Sequence, residues 1–585
     1  MKEKQYPVYT LKNECNDCYK CIRGCHIKAI RINNGSASVI DDRCIACGHC
    51  VTVCPAGAKK VRNDIEKVKT LIKANCDVYV SLAPSWVGVY NLKREKMVAL
   101  LKRLGFKGVS ETALGAQEVS IQCAKMLNEA QKGLFISSAC PVIDDYIRIY
   151  KPEFASCITP VASPALTHAG LLKKMLGDDI KVVFIGPCIA KKNEADKNPD
   201  LIDVSLTFDE LNYWIKEEYI DIENIEVDEN CHLVPESAYE GAIYPLEGGM
   251  NDTIKRVGID KNDVTFISVS SLEAFDKSLQ NIQKDKIENK IFVEALACMG
   301  GCINGPCISS EKSRILITSD IYANTKYRDV VPKEPRKVVQ MQYLPEPYVQ
   351  KQYPIEVVAK ALKRISKHSL DDELNCSGCG YSSCREFVNA LISGDAEPSQ
   401  CVSYMRKIAV RKAAAMLRCM PSAVVIADSN MNIVETNESF INMFCTDMGD
   451  VFSQTDSLQG AALDRIVPFS ELFKSALETG HDIHQEHYAI NDKLYDISVF
   501  TIEDNELIGA VISDVTKSEL DRSKIAQKAR EVITKNIITV QEIASLLGEH
   551  MVETELLLDS IAKGYDSNSN ENLSIANINT FGEHR

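Results

Sequence analysis

Cys298 and Cys302 stand four residues apart, with Gly300-Gly301 between them, in the stretch Glu294-Ala295-Leu296-Ala297-Cys298-Met299-Gly300-Gly301-Cys302-Ile303-Asn304-Gly305-Pro306-Cys307. A Gly-Gly pair lets the backbone curl tightly around a bulky inorganic group. Thiolates are the soft ligands that iron clusters take. Two thiolates do not complete a four-iron cluster. Two more candidates lie upstream, each beside a proline: Cys140 in Ser137-Ser138-Ala139-Cys140-Pro141, and Cys188 in Gly186-Pro187-Cys188-Ile189-Ala190-Lys191-Lys192-Asn193-Glu194. Spacing alone reads as a buried cluster or metal site.

Most of the chain's 23 cysteines fall in groups with ligand spacing. Cys15, Cys18, Cys21 and Cys25 are followed by Cys44, Cys47, Cys50 and Cys54-Pro55 at the same intervals, an internal repeat. This resembles the bacterial two-cluster ferredoxin pattern, in which the fourth cysteine of each run ligates the other cluster. The implied sets are Cys15, Cys18, Cys21 with Cys54, and Cys44, Cys47, Cys50 with Cys25. His26 stands where a proline usually follows, which removes no ligand. A pair of zinc sites is the competing reading. Near residue 380, Cys376, Cys379, Cys384 and Cys401 supply four more thiols. They resemble the small four-cysteine iron–sulfur domain of several anaerobic redox proteins, with zinc again the alternative.

These residues need elements to hold them. Val78–Leu82, Lys181–Ile185 and Ile291–Glu294 read as short strands, each delivering a functional turn at its C-terminal end, where open α/β sheets place their sites. Helical patterns run over Asn91–Leu104, Gly115–Ala130 and Pro164–Leu176. The expected organisation is multidomain, α+β and α/β. A two-cluster ferredoxin domain covers 1–65, an α/β catalytic region of two lobes 75–345, and a four-cysteine domain 346–410. From 411 to 517, strands at Ala423–Asp428 and Ile433–Thr436, a helix capped by Asn437, and strands at Gln485–Ile490, Lys493–Thr501 and Glu506–Val515 predict an antiparallel sheet. Pro421 to Phe440, together with Ile512–Thr516, is similar to the two ends of a PAS sensor domain, whose ligand is unknown. His481, His484 and His487 read as surface residues rather than haem ligands. A helix follows over 518–562, in which Ile533, Ile537, Val540, Ala544, Leu547 and Met551 form a short heptad seam. Pairing with a second chain and packing back on the preceding domain are both open for it. The polar tail, 563–585, is expected to be disordered.

The Cys140, Cys188 and Cys298–Cys302 segments, in that order, resemble the three signature motifs of the iron-only (FeFe) hydrogenases, over roughly residues 78–310. The resemblance implies that Cys140, Cys188, Cys298 and Cys302 hold a cubane, and that Cys302 bridges it to a two-iron unit carrying CO, cyanide and an azadithiolate. Lys191 then matches the lysine that contacts a cyanide, Glu194 the residue that positions it, and Pro84 and Ser85 the loop on the far side of the diiron centre. Ser163 matches a serine proton relay. Hydrogen splitting needs a base and a proton route, and here the sequence departs from the family. Ala139 stands where a relay cysteine is usual, and Gln122 where a glutamate is. Gly186 and Leu296 replace pocket methionines, and Pro306-Cys307 replaces small residues. An intact cage with an interrupted proton route and an appended PAS domain looks like the sensory subgroup of the family.

At 585 residues the chain suits about four domains. Its 45% hydrophobic and 25% charged composition is ordinary for a soluble protein. A net charge of −14 excludes a basic nucleic-acid footprint. No run of about 18 apolar residues is present to span a bilayer, and Met1–Tyr6 lacks a secretory apolar segment. The expectation is a cytoplasmic oxidoreductase of low turnover. It would act on H2 and protons, exchange electrons with a ferredoxin-like carrier, and signal to a kinase or phosphatase, alone or as a homodimer. A ferredoxin-linked hydrogenase regulated by the PAS domain, and an iron–sulfur scaffold that never receives the two-iron unit, are the competing readings.

Overall fold

The computed structural model describes residues 6–259, 263–309, 312–445 and 458–565, with side chains undescribed at 544–554 and 559–565. The chain forms two compact units, Met1–Arg406 and Lys407–Arg585.

In the first unit, Val8–Thr10 pairs antiparallel with Lys59–Val61, and Ile30–Asn33 with Ser36–Val39. The short helices Lys20–Gly24 and His49–Thr52 lie inside the two cysteine runs. Two parallel sheets follow. The four-stranded one has the order Gly108–Glu111, Val78–Leu82, Lys181–Gly186, Val204–Thr207. The three-stranded one has the order Val264–Ser270, Lys290–Leu296, Gly133–Ile136. Parallel strands covered on both faces read as continuous apolar runs rather than alternating ones. Lys181–Gly186 fits that description, with Val182 to Gly186 all buried. Val80, Leu82, Val183, Ile185 and Leu206 share one core with Leu100 and Leu101. Ile136, Val293 and Ala295 share another with Ile143, Ile147 and Phe275, and Val8, Ile45 and Ala46 of the N-terminal segment join it. The region of these two sheets therefore has two cores, one per sheet.

The helix over Asn91–Leu104 is shorter than expected, Arg94–Arg103, whereas Pro164–Leu176 matches its expected bounds. Ala113–Glu129 crosses Pro164–Leu176 at Gly115, where a Cβ would come within 2.2 Å of the Pro164 carbonyl oxygen. Farther along, helices Ile355–Arg364 and Cys384–Ser393 pack Leu362, Ile365, Phe387 and Val388 against Ile22, Ile30 and Ile32.

The second unit contains a five-stranded antiparallel sheet in the order Ile433–Thr436, Ala423–Asp428, Leu507–Asp514, Lys493–Glu503, Ile483–Ile490. Helices Glu438–Phe444 and Ser470–Thr479 supply Phe440 and Phe473 to its core. Asn437 caps the first of them, accepting from the Phe440 and Val424 amides at 3.0 and 2.8 Å. His481, His484 and His487 are exposed, as surface residues should be.

Three boundaries differ from expectation. The division at 410/411 falls inside one continuous helix, Val402–Cys419. The last helix runs over Thr516–Tyr565, past both expected ends. Ile533, Ile537 and Val540 are 57%, 52% and 64% exposed, so they do not pack back on the preceding sheet. The side chains of Ala544, Leu547 and Met551, and the tail from 566, lie outside the described residues.

Candidate active site and cluster cavities

Five strands from the two sheets end at one cleft of about 750 Å³, and the turns that follow them line it. Val78–Leu82 delivers Ala83-Pro84-Ser85, Gly108–Glu111 delivers Thr112, and Lys181–Gly186 delivers Pro187 and Cys188. Gly133–Ile136 leads to Ala139 and Cys140, and Lys290–Leu296 leads to Cys302. Between the cysteines the wall is apolar and small: Ala83, Ala113, Ala116, Ala139, Ala165 and five prolines are among its residues.

Cys140, Cys188, Cys298 and Cys302 lie within electrostatic range of one another. Burial, then the neighbouring Cys188, pushes the Cys140 thiol up to about 12, and burial raises the other three as well. Ligation as thiolates must therefore release protons. Lys191 is buried. Its Nζ donates to Ser163 Oγ at 2.8 Å and to Glu194 Oε2 at 2.7 Å. Burial works against its charge, but Glu194, Cys188 and Cys140 more than compensate and raise its pKa. Ser85 Oγ lines the same cleft, buried and without a hydrogen-bond partner among the described residues. A buried hydroxyl left unpaired costs roughly 1–3 kcal/mol. Cys298 is not among the residues lining the cleft; three lining thiols with Cys298 in range of them, one held cation and one orphaned hydroxyl fit an anionic cluster assembly.

Several expected site residues have different surroundings from those anticipated. Ser163 caps helix Pro164–Leu176 and holds Lys191 in addition to lying near the cleft. Gln122 is not among the residues lining it. The missing side chain at Gly186 is made good by Phe184, whose ring lies 2.6 Å from where a Cβ would stand and lines the cleft. Leu296 lines it as expected. Cys307 is buried near Cys188 but outside the lining, and Pro306 packs on Gly48 of the N-terminal segment. Gly301 is explained by a neighbour as well as by a curl. At φ +102°, its Cβ would come within 2.2 Å of the Pro245 carbonyl oxygen.

Sequence reasoning missed four buried polar groups. Glu294 lines the cleft and accepts from the Met250 and Asn251 amides at 3.2 Å each. Burial, against those bonds, pushes its carboxyl up to about 7. Asp144, behind Cys140, is raised well above the usual range by burial and by Glu194. His168 bridges Ser81 Oγ at 2.7 Å and Ser110 Oγ at 2.8 Å beneath the cleft, and burial lowers its pKa to about 3, so it is neutral. Lys192 is fully buried against Asp64 and Glu210. Glu294 had a local signal, an acid at the end of an apolar strand four residues before a cysteine; the others had none.

The remaining cysteines gather in three places. Cys15, Cys18, Cys21 and Cys54 line one cavity of about 370 Å³, and Cys376, Cys379, Cys384 and Cys401 line another of about 300 Å³. Cys25 lies in electrostatic range of Cys44, Cys47 and Cys50. The structure thus brings together the crossed sets that the repeat implies. Cys47 also lies in range of Cys298, so the N-terminal segment approaches the cysteine group of the cleft through that residue.

Comparison with known proteins agrees with this order. Residues 76–306 match a family model described as the iron-only hydrogenase large subunit, C-terminal domain, residues 7–55 a 4Fe-4S dicluster domain, and residues 372–403 an Fe–S cluster model. The NADP-reducing hydrogenase subunit of Solidesulfovibrio fructosivorans is 24% identical over 369 residues, which cover 50% of this chain and 63% of that relative. The periplasmic [Fe] hydrogenase large subunit of Nitratidesulfovibrio vulgaris is 26% identical over 287 residues, covering 40% and 68%. A solved [FeFe]-hydrogenase of Chlamydomonas reinhardtii aligns at 18% identity with a TM-score of 0.38, over 48% of this chain and 99% of that one. Among the described residues, no helix is long and apolar enough to cross a membrane.

Proposed function

We propose that this hydrogenase-like iron–sulfur protein holds an H-cluster on Cys140, Cys188, Cys298 and Cys302, turns hydrogen over slowly, and reports its redox state through the second unit. The observation that carries the reading is the convergence of Cys140, Cys188, Cys302, Lys191 and the orphaned Ser85 hydroxyl on one apolar cleft. When bound, the two-iron group supplies the metal site and base at which hydrogen is split. The chain's own part is to hold and surround it. Ser163 and Glu194 hold the Lys191 ammonium at the cleft, where it would give the group's negatively charged ligands a charge-assisted hydrogen bond. Ser85 offers a hydroxyl from the facing turn, and the alanines and Phe184 keep water out. Ala139 lines the cleft beside Cys140 and carries no proton.

Infrared bands of CO and cyanide after maturation test the cofactor, and their absence would leave the scaffold reading. Ala139→Cys tests the proton route. It is expected to raise turnover about tenfold, part of the 10²–10⁴-fold that a positioned proton-transfer group contributes. Wild-type turnover equal to that of a standard hydrogenase refutes the slow-enzyme reading.

One observation favours a second reading, a working hydrogenase with another proton route: the buried Glu294 carboxyl lines the cleft and is poised near neutrality. Loss of one limb of the pH–rate profile in Glu294→Gln, with infrared bands unchanged, would support it.

The sensory part draws on the PAS-like order of strands and the exposed Ile533, Ile537 and Val540. Hydrogen can shift this segment only as far as one conformation answers it better than another. Amide exchange within 518–562 is expected to change under hydrogen and to stop changing in Cys302→Ser. Identical exchange under hydrogen and argon refutes the output.

A further inference from the structure

The four-cysteine segment is docked on the N-terminal segment at its cysteines. Gly380, next to Cys379, has φ +94°, and a Cβ there would lie 3.2 Å from the Arg23 amide nitrogen and 3.3 Å from its Cα. Arg23 sits on helix Lys20–Gly24, between Cys21 of one expected cluster and Cys25 of the other. Its guanidinium donates to the Cys18 carbonyl at 2.7 Å and to the Gly378 carbonyl at 3.4 Å, so one side chain spans two cysteine loops. Lys28 lies in electrostatic range of both Cys25 and Cys379. Tyr19 OH, which donates to Asp17 at 2.8 Å, accepts from Ser399 Oγ at 3.3 Å; the Asn34 amide donates to Glu397 at 2.6 Å and the Ile32 amide to the Asp395 carbonyl at 3.0 Å. Cys21, Cys384 and Cys401 are buried in one shared core. At its other end the N-terminal segment places Cys47 in range of Cys298.

The far side of the docked segment is the start of a helix. Cys401 has extended backbone, and its carbonyl accepts the Met405 amide at 2.9 Å, so it caps Val402–Cys419. Within that helix the chain passes from the first unit into the second. A helix N-terminus carries unpaired N–H groups and a partial positive charge.

We propose that the site of Cys376, Cys379, Cys384 and Cys401 is the output end of one electron chain, receiving electrons through the Arg23–Gly380 contact and acting by its charge on the N-terminus of helix Val402–Cys419. In the step, a reduced ferredoxin-type cluster loses one electron and the terminal cluster gains it; no bond or proton moves. The first donor is hydrogen if the function proposed above holds, and any low-potential reductant otherwise. The added negative charge stabilises the first helical turn. A charge at that position shifts a local equilibrium about two- to fivefold.

The test needs no hydrogen, so its failure is separable from failure of the proposed function, which the CO and cyanide bands decide. Full-length protein with its iron–sulfur clusters reconstituted is reduced with dithionite and examined by electron paramagnetic resonance. Cys384→Ser identifies the terminal signal by its loss. The ferredoxin-type signals are expected to be broadened by spin coupling that disappears in Cys384→Ser and in Gly380→Val, the latter with iron content unchanged. Should Gly380→Val lose iron, Arg23→Glu replaces it. Protease cleavage within 402–419 is expected to slow about two- to fivefold on reduction, and to be indifferent to reduction in Cys384→Ser. A fully reduced spectrum equal to the sum of independent clusters, or equal cleavage in both redox states, overturns the proposal.

Discussion

Lys192→Met should destabilise the first unit more than any other single charge removal near the cleft. The Lys192 side chain is 0% exposed, and its Nζ donates to Asp64 Oδ2 at 3.0 Å, Glu210 at 2.8 Å and the Ser205 carbonyl at 2.9 Å. Asp64, itself 1% exposed, also receives Arg62 Nε at 2.9 Å and Lys67 Nζ at 2.6 Å. Methionine keeps the stem and most of the volume but strands two buried carboxylates. Removing one member of a buried pair costs about 3–5 kcal/mol. Because Asp64 keeps Arg62 and Lys67, the lower end, about 3 kcal/mol, is expected. Thermal unfolding of reconstituted protein at fixed scan rate should then fall by about 3–4 °C. The sign with pH follows from Asp64. Burial pushes its carboxyl up, but Lys192, Lys67 and Arg62 outweigh that and hold it below the usual range. A depressed carboxyl contributes stability above its unfolded pKa, roughly 3.9, and loses it as pH falls through the folded value. The gap between variant and wild type should therefore be widest near neutrality and close in acid. Adding Asp64→Asn should recover part of the loss, since the two sites share one network. A variant melting temperature equal to that of the wild type between pH 5 and 8 would refute the reasoning.

Glu294→Gln should have the opposite pH signature. Burial raises this carboxyl to about 7, so the stability it brings is full below the unfolded glutamate value and is lost as pH rises through about 7. Melting temperature against pH should flatten in the variant over that window, and an unchanged slope would count against it. Cys302→Ser should abolish the CO and cyanide bands, whereas Cys376→Ser should keep them and lose one cluster's worth of iron; loss of the bands in Cys376→Ser would join two sites held apart here. If the exposed Ile533, Ile537 and Val540 are covered by a second chain, sedimentation should find a dimer that Ile537→Asp dissociates; a monomeric wild type would exclude pairing.

What the sequence made legible was local. The resemblance of the cysteine repeat to two-cluster ferredoxins implies crossed sets, and Cys15, Cys18, Cys21 and Cys54 line one cavity. In the second unit, short alternating strands bounded by turn residues placed Ala423–Asp428 and Ile433–Thr436 at their observed bounds. Asn437 could be read as a cap because its bond to the Phe440 amide spans three residues. Lys191 and Lys192 mark the limit. Adjacent helical residues point about 100° apart, so these neighbouring lysines are two buried cations with separate partners. Lys191 turns to Glu194, three residues on. Lys192 turns to Asp64, 128 residues back, and no local pattern announces that contact.

The same distinction bears on how the cleft is to be understood. Its cysteines and Lys191 stand where the motif puts them, but its shape is made by residues the motif does not name. Phe184 fills the space beside Gly186, and Pro245 dictates the glycine at 301. Repairing the proton route at Ala139 alone would thus leave a pocket whose wall is already rebuilt. A modest gain from Ala139→Cys is what that geometry predicts. Full recovery would mean that the wall is neutral and that Ala139 alone sets the pace. Comparing Ala139→Cys with a variant that adds Phe184→Ala and Gly186→Met separates the two, because only coupled sites depart from additivity.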